Sequence, residues 1–367
     1  MRLLALYLPQ YHAIEENDRW WGKGYTEWTA VKQAKTLCDK HIQPHVPLNE
    51  NYYDLSDESG AVWKWQAELA EQYGIYGFCI YHYWFGEKML LQKPMEILLR
   101  HPEINLKYTI CWANETWTRV WYAQQNEVLM EQTYGGEEEW IRHYEYLRPF
   151  FQDERYIKID GKPLIHILRQ GKVTNLDAML RCWQDLAVKD GFSGIRVIAA
   201  RKSVDNEPLK SDLIDGEYLF EPGYSSRNGM TLAEKLAYFG EIEFRHLRNL
   251  LFRRNDVERL ADMKAVNRRI LRNYENEKKK GGKPVYAGAC PNWDNTPRRG
   301  SAGSVFYNTT PEEFRSLLLR LKQVTDEEEF VYADAWNEWG EGCYLEPDTV
   351  VRYAYLEAVR DVQKGKV

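Results

Sequence analysis

Short apolar segments alternate with longer amphipathic segments along most of the chain, which is the pattern of alternating strands and helices. Eight of the short segments have the length and the content of β-branched and aromatic residues typical of buried strands. They are residues 3–9, 76–84, 107–112, 163–169, 195–200, 215–220, 284–289 and 330–336. Between them, apolar residues recur at intervals of three and four, which predicts helices. The clearest of these segments are residues 60–73, 137–151, 176–190, 311–324 and 350–363.

Eight strands interleaved with helices predict one α/β catalytic domain over residues 1–367, a (β/α)8 barrel of the TIM type. Thr310 before Pro311 predicts the beginning of one helix, and Gly74 and Gly191 predict the ends of two others. A doubly wound sheet is the alternative architecture. Such a sheet usually has a glycine-rich first turn, whereas the turn PQYHAIEEND after the first strand contains no glycine.

Two segments exceed the connections of a minimal barrel. Residues 10–55, after strand 1, hold several tryptophans and tyrosines between prolines and are predicted to form a long aromatic loop. Residues 223–283, before strand 7, are predicted to be an insertion with a basic helical stretch at residues 244–283. That stretch has 13 Lys and Arg against five Asp and Glu. We expect a solvated helical insertion, and peripheral contact with a membrane or a lipid-linked glycan is the alternative.

Composition narrows the class of protein. With 49 basic and 55 acidic residues the net charge is −6, which does not favour nucleic acid as a partner. The six cysteines form no CxxC pair and the eight histidines form no HxH or HExxH motif, so neither a metal site nor another cofactor is predicted. No apolar run approaches the roughly 20 residues of a membrane span, and the apolar stretch at residues 3–9 is too short for a signal peptide and is followed by no small-residue cleavage site. A cytoplasmic protein is expected.

Candidate chemistry lies at the strand ends, because barrel enzymes place their catalytic groups just beyond the carboxyl ends of the strands. Nearly every predicted end carries an aromatic ring beside a polar or acidic group, and such rings stack on sugars while the polar groups bind hydroxyls. The pattern predicts a carbohydrate site. Its predicted substrate-binding residues are Tyr11, His12, Trp28, His82, Tyr83, Trp84, Trp112, Asn114, Glu115, Trp293, Asp294, Trp336 and Asn337.

Cleavage of a glycosidic bond needs two carboxyl groups, and the segment DAWNEWGEGCYLEPD supplies the best pair. Glu338 and Glu341 are three residues apart, so a helical turn would place them on one face and push their pKa values apart. A structural alternative is that one of them only forms an ion pair with an arginine. Glu115 with Glu338 is a rival pair, although Glu115 is predicted rather to bind a sugar hydroxyl.

Several blocks of the sequence resemble a known family. YLPQYH, NDRWWGKGYTEW, QPHVPL, YGFCIYHYWF, CWANETWTR, DGKPLIHI, WDNTPRR and WNEWGEGCYLEPD look like the signature blocks of the WbsX-type family, over residues 2 to about 360. That family is labelled glycosyltransferase and is grouped with glycoside hydrolase family 99-like proteins. The resemblance implies a (β/α)8 barrel that acts on α-mannoside-type substrates and retains configuration. It implies attack by the substrate's own 2-hydroxyl, with Glu338 as base and Glu341 as acid–base residue.

The chain departs from the family pattern at two places. Family 99 hydrolases commonly have a histidine between the two glutamates, where this chain has Gly340, and WbsX-type chains are expected to have Asp-Gly where Val120, Trp121 and Tyr122 stand. We therefore expect a metal-independent hydrolase of polysaccharide or lipid-linked glycan with an altered subsite. Glycosyl transfer or transglycosylation in bacterial cell-surface polysaccharide (O-antigen-type) synthesis is the alternative, and a non-catalytic carbohydrate-binding barrel is a third possibility.

Overall fold

Eight parallel strands form a closed barrel in the computed structural model, which describes residues 1–38, 41–119, 127–203 and 208–365. Each strand pairs with the next in the chain. The eighth closes the barrel on the first through the register Arg2 to Phe330. The strands are β1 Arg2–Tyr7, β2 Gly77–Trp84, β3 Tyr108–Trp112, β4 Lys162–Ile167, β5 Arg196–Arg201, β6 Gly216–Leu219, β7 Val285–Ala289 and β8 Phe330–Ala333. The predicted TIM-type barrel is confirmed, and each predicted strand overlaps an observed one.

Helices surround this barrel and cap its ends. In chain order they are α1 Glu15–Trp21, α2 Glu27–Gln33, α3 Ala61–Tyr73, α4 Lys93–Arg100, α5 Glu137–Gln152, α6 Leu176–Lys189, α7 Leu232–Phe252, α8 Met263–Lys280, α9 Thr296–Arg299, α10 Pro311–Val324 and α11 Ala354–Gln363. The predicted caps form where the side chains allow them. Thr310 Oγ1 accepts a hydrogen bond from the Glu313 amide at 3.2 Å, and Gly74 ends α3 with a φ of +79°.

The aromatic loop of residues 10–55 crosses the carboxyl-end mouth of the barrel and includes α1 and α2. Its far end is anchored to the segment that follows β8, since the Leu48 amide donates to the Pro347 carbonyl at 2.9 Å. Inside the loop, Trp28 Nε1 donates to the Tyr53 carbonyl at 2.8 Å. These contacts hold α2 against the segment that follows β8.

The predicted insertion divides into two parts. α8 buries Met263, Val266, Ile270 and Tyr274, and it contacts β7 as an outer helix of the barrel does. The added element is therefore α7, together with the short strand Arg259–Asp262, which pairs in parallel with Ser304–Tyr307. No helix in the described ranges combines the length and apolar content needed to cross a bilayer.

Candidate active site

A cleft of about 1050 Å³ opens at the carboxyl ends of the strands. Aromatic rings line much of it, as expected for a surface that stacks on sugar rings. The lining rings are Trp21, Tyr81, Tyr83, Trp117, Phe220, Tyr238, Phe239, Trp293 and Phe306. Three acidic side chains, Glu115, Glu338 and Glu341, also line it. Of the predicted site residues, the structure thus brings Tyr83, Trp293 and these three glutamates to one cavity.

Glu338 and Glu341 lie side by side because of the local backbone. Asn337 and Glu338 pair in an antiparallel bridge with Tyr344 and Cys343, and a 3₁₀ turn, Trp339–Glu341, follows at once. In a 3₁₀ turn, side chains three residues apart lie nearly one above the other. The turn therefore places the two carboxylates, three residues apart in the sequence, so that both face the same guanidinium.

That guanidinium belongs to Arg298 of α9, and it binds three carboxylates at once. Nη2 donates to Glu338 at 2.8 Å, Nη1 donates to Glu341 at 2.8 Å, and Nε donates to Glu27 of α2 at 2.5 Å. The Arg298 side chain is 8% exposed and that of Glu27 is fully buried. We call Glu27, Arg298, Glu338 and Glu341 the carboxylate–arginine cluster. Such charge-assisted bonds fix the orientation of both partners.

The cluster also accounts for Gly340. A Cβ at this position would overlap the Glu27 carboxylate and would lie 2.7 Å from Arg298 Nε. The ion pair of Glu27 with Arg298 therefore occupies the space into which a side chain between the two glutamates would extend. The other departure from the family pattern, at residues 120–122, lies outside the described residues.

Burial and neighbouring negative charge make Glu338 a weaker acid than a free glutamate side chain. Burial, opposed by Arg298 and reinforced by the neighbouring Glu341 and Glu27, raises the pKa of Glu338 to about 8. Tyr83 is close enough for the Glu338 charge to reinforce the effect of burial in raising the pKa of the Tyr83 hydroxyl. The closeness of the two glutamates that the sequence spacing predicted contributes to this rise, although burial is its larger cause.

Buried polar contacts orient the segment that carries the two glutamates. Asn337 accepts from the Leu8 amide at 2.8 Å and donates to the Leu8 carbonyl at 3.0 Å, so the end of β8 is tied to the end of β1. The buried Glu346 carboxylate accepts from Trp336 Nε1 at 2.9 Å and from Trp339 Nε1 at 2.7 Å. Asn337 and Glu346 therefore hold the backbone around Glu338 from the side away from the cleft, and neither of them lines the cleft.

Glu115 occupies a different part of the cleft. It forms an ion pair with Arg169, and Lys202 Nζ lies 3.2 Å from its Oε2. Burial alone would raise the pKa of Glu115, but Lys202 and Arg169 hold it below its usual range. A carboxylate that stays charged between two cations suits a hydrogen-bond acceptor for substrate better than a proton donor.

Three predicted residues on β2 and β3 point away from the cleft. Side chains alternate along a strand, so Tyr81 and Tyr83 face the cleft while His82 and Trp84 face outward. His82 Nε2 contacts His143 Nε2 of α5 at 3.0 Å, and burial lowers the pKa of His82 to about 3. Trp84 stacks on His143, and Trp112 packs edge-on against the same ring.

The other predicted residues are buried beneath the cleft floor or in its supporting loops. Asp294 accepts from His41 Nε2 at 2.7 Å and from Gln43 Nε2 at 2.6 Å, and thereby holds the aromatic loop to the end of β7. Asn114 bonds the backbone of Arg169. The remaining residues are likewise bonded or packed within the protein, and they are Tyr11, His12, Trp28, Trp336 and Asn337.

Sequence reasoning missed Arg298, Glu27 and Tyr81. Arg298 and Glu27 stand in the blocks WDNTPRR and GYTEW, but nothing in either block indicates that the two meet. It also missed a group of cations on the cleft wall beside α7. The group consists of Arg227, Lys235, Arg259 and Arg299. Within the described part of the chain, none of the four forms an ion pair with a carboxylate.

Comparison with known protein families shows to which family the chain belongs. The sequence profile of the family described as glycosyltransferase WbsX matches residues 3–359. The chain belongs to the WbsX glycosyltransferase family. The resemblance inferred from the signature blocks is thereby confirmed, and the family's description is that of a carbohydrate-active enzyme.

Curated relatives match nearly the whole of this chain, and solved structures share its fold. Protein WxcX, found in two strains of Xanthomonas campestris pv. campestris, is 30% identical over 366 residues, which cover 98% of this chain and 49% of the relative. This WbsX-family chain thus spans about half the length of the curated relatives it matches. A glycoside hydrolase-like protein has a TM-score of 0.62 at 12% identity, covering 98% of this chain and 93% of the other. The GH99 endo-α-mannosidase of Bacteroides thetaiotaomicron has a TM-score of 0.57 at 12% identity, covering 99% and 97%. At that identity, these structures establish the fold.

Proposed function

We propose that this WbsX-family protein is a retaining glycoside hydrolase that cleaves α-mannoside-type linkages in a polysaccharide or a lipid-linked glycan. One observation carries the proposal: Glu338 and Glu341 lie on one guanidinium at the edge of a cleft lined with aromatic rings. Two carboxyl groups are what glycoside cleavage requires. The fold shared with the GH99 endo-α-mannosidase supports the choice of linkage.

In the proposed reaction Glu338 is the base and Glu341 is the acid. Glu338 takes the proton of the sugar's 2-hydroxyl, whose oxygen attacks the anomeric carbon and forms a 1,2-anhydro sugar. Glu341 gives a proton to the departing glycosidic oxygen. Water then opens the anhydro ring, giving its proton to Glu341 while Glu338 returns a proton to the 2-oxygen. Two inversions at the anomeric carbon give net retention, and both carboxyl groups recover their starting states.

The electrostatics of the cluster suit Glu338 to proton transfer, while its role as base rests on the family resemblance. A catalytic acid or base works best when its pKa lies near the working pH, and burial raises the pKa of Glu338 to about 8. Arg298 keeps the deprotonated form of Glu338 accessible because its Nη2 donates to that carboxylate. Glu341 is the more exposed of the two, with 22% of its side chain accessible, and this exposure suits proton exchange with a leaving group or with water.

Glycosyl transfer is the second candidate. The family is described as glycosyltransferase WbsX, and the four cations on the cleft wall beside α7 would suit the phosphate of an activated sugar donor. The same two glutamates could then pass the sugar to a hydroxyl group in place of water.

One experiment separates the two candidates. The protein is incubated in ¹⁸O-water with α-mannans and mixed bacterial polysaccharides, without any nucleotide sugar, and the products are followed by mass spectrometry. We expect labelled oligosaccharides from the wild-type protein and none from Glu338→Gln or Glu341→Gln. Glu221→Gln is the matched control, because Glu221 is a buried carboxyl at the end of β6 that does not line the cleft.

The opposite outcome has a clear meaning. If no polymer releases labelled sugar, and sugar is transferred once a nucleotide-sugar or lipid-linked donor is added, hydrolysis is refuted and the transferase stands. Intact glycan binding that both glutamine variants retain, without turnover of any donor, would leave only a carbohydrate-binding barrel.

A further inference from the structure

Helix α7 presents an apolar surface to solvent. Of the thirteen large hydrophobic side chains that are mostly exposed in the described residues, eight lie on this helix. Their exposed fractions range from 55% at Leu247 to 74% at Leu232. The eight are Leu232, Leu236, Phe239, Phe244, Leu247, Leu250, Leu251 and Phe252. So many exposed large apolar side chains on one helix are uncommon on a protein surface and mark a contact site.

The exposed apolar side chains gather on one side of the helix, and Glu243 is the one charged residue within their sector. At 100° per residue, Leu232, Leu236, Phe239, Leu247 and Leu250 fall within a sector of about 80° around the helix axis. Phe244 and Leu251 widen that sector on one side. We call these seven residues the α7 stripe. The stripe runs from Leu232 to Leu251, nearly the whole length of α7.

The side of α7 that faces the protein is mixed, because the partly buried Tyr238 and Ile242 lie on it together with polar side chains. Glu234 Oε1 lies 3.1 Å from Arg269 Nη1 of α8, and Asn249 Nδ2 donates to the Asp256 carbonyl at 2.8 Å. Arg248 forms an ion pair with Asp256 at 2.7 Å. An ordinary surface helix packs its largest apolar side chains against the protein, whereas α7 leaves these in solvent. The stripe is therefore left for an external contact.

Positive charge borders this stripe although the whole protein has a net charge of −6. Arg253 and Arg254 follow the carboxyl end of α7, and both are exposed. Lys235 lies beside the stripe and also lines the cleft wall that carries Arg227, Arg259 and Arg299. An apolar stripe edged by lysine and arginine is the surface that enters the headgroup layer of an anionic bilayer.

We infer that α7 lies in the plane of an anionic lipid surface, with the α7 stripe buried among the acyl chains nearest the headgroups. Phe239 belongs to the stripe and also lines the cleft, so the bound membrane would meet the rim of the cleft. A second copy of the chain seated on the stripe would instead cover that rim and bring the bordering cations of two molecules together. The inference does not depend on which reaction the cleft performs.

The test is sedimentation of the protein with vesicles of phosphatidylcholine, with or without about one third phosphatidylglycerol as the anionic lipid. We expect the wild-type protein to sediment with the anionic vesicles, and Leu247→Gln/Leu250→Gln to lower its affinity at least about tenfold. Arg253→Gln/Arg254→Gln should weaken binding to anionic vesicles, and about 1 M salt should do the same because it screens charge.

The matched control is Val188→Gln on α6, where the side chain is 59% exposed, as at Phe239. This variant should bind anionic vesicles as the wild-type protein does. Sedimentation that is unchanged by Leu247→Gln/Leu250→Gln, or absent from the wild type, would overturn the inference. So would a dimer in light scattering that these two substitutions convert to a monomer, because the stripe would then be a contact between copies.

Discussion

Replacing Arg298 by methionine should destabilise the protein through the charges it leaves behind. The substitution keeps an unbranched side chain in α9 but removes the donors to Glu27, Glu338 and Glu341. The side chains of Glu27 and Glu338 are 0% and 9% exposed, so neither carboxylate can be solvated in place. Removal of one partner from a buried ion pair costs about 3–5 kcal/mol. We expect a loss of that size in the free energy of unfolding at pH 7.

Urea denaturation followed by tryptophan fluorescence measures this loss. Arg299→Met is the matched control, since Arg299 is the next residue of α9 and pairs with no carboxylate in the described ranges. It should change stability by no more than about 0.5 kcal/mol. Adding Glu27→Gln to Arg298→Met should restore part of the stability, because it removes the most deeply buried of the orphaned charges. Equal effects of the two methionine substitutions would refute the reasoning.

Three further predictions concern Gly340, the pKa of Glu338 and two other buried glutamates. Gly340→Ala should lower the free energy of unfolding measured in urea by about 1–3 kcal/mol, because the alanine Cβ would displace the Glu27 carboxylate. Gly240→Ala is the control. A Cβ there would have nothing within 4 Å, so this substitution should stabilise α7 by about 0.5–1 kcal/mol. If Glu338 is the base, kcat/KM should rise with pH through about 8, whereas a fall through that pH would make Glu338 the acid. Burial raises the pKa of both Glu221 and Glu346 from 4.5 to about 7, so their contribution to stability is complete below pH 4.5 and is lost as pH rises through 7. Each should contribute roughly 3 kcal/mol to that decline, and Glu221→Gln should flatten it; a melting temperature independent of pH between these limits would contradict this.

The barrel could be predicted because its signal is local. Each strand is a short apolar run, and each helix shows its own periodicity, so the order of elements follows from segments read one at a time. The pairing of Glu338 with Glu341 was accessible for the same reason, since three residues of spacing and one turn decide it.

The direction in which each strand side chain points could not be predicted from the sequence. In β2 every residue from Gly77 to Trp84 is buried, so hydrophobicity does not distinguish the face toward the cleft from the face toward α5. Choosing His82 and Trp84 with Tyr83, and leaving out Tyr81, mixed the two faces. One known contact on either face would have fixed the alternation for the whole strand.

The carboxylate–arginine cluster illustrates a deeper limit, and it also explains what the aromatic loop does. Glu27 and Arg298 are far apart in the chain and meet only because the loop of residues 10–55 folds over the barrel mouth. Trp28 is buried against Tyr11 and Trp339, so its ring fixes α2 against the turn that carries Glu338. Tyr11 and Trp28 of this loop were predicted to bind substrate. In the structure Trp28 instead places Glu27 beside Arg298, and we therefore expect the electrostatics of the two candidate catalytic glutamates to depend on the packing of a ring that sequence alone assigned to the substrate.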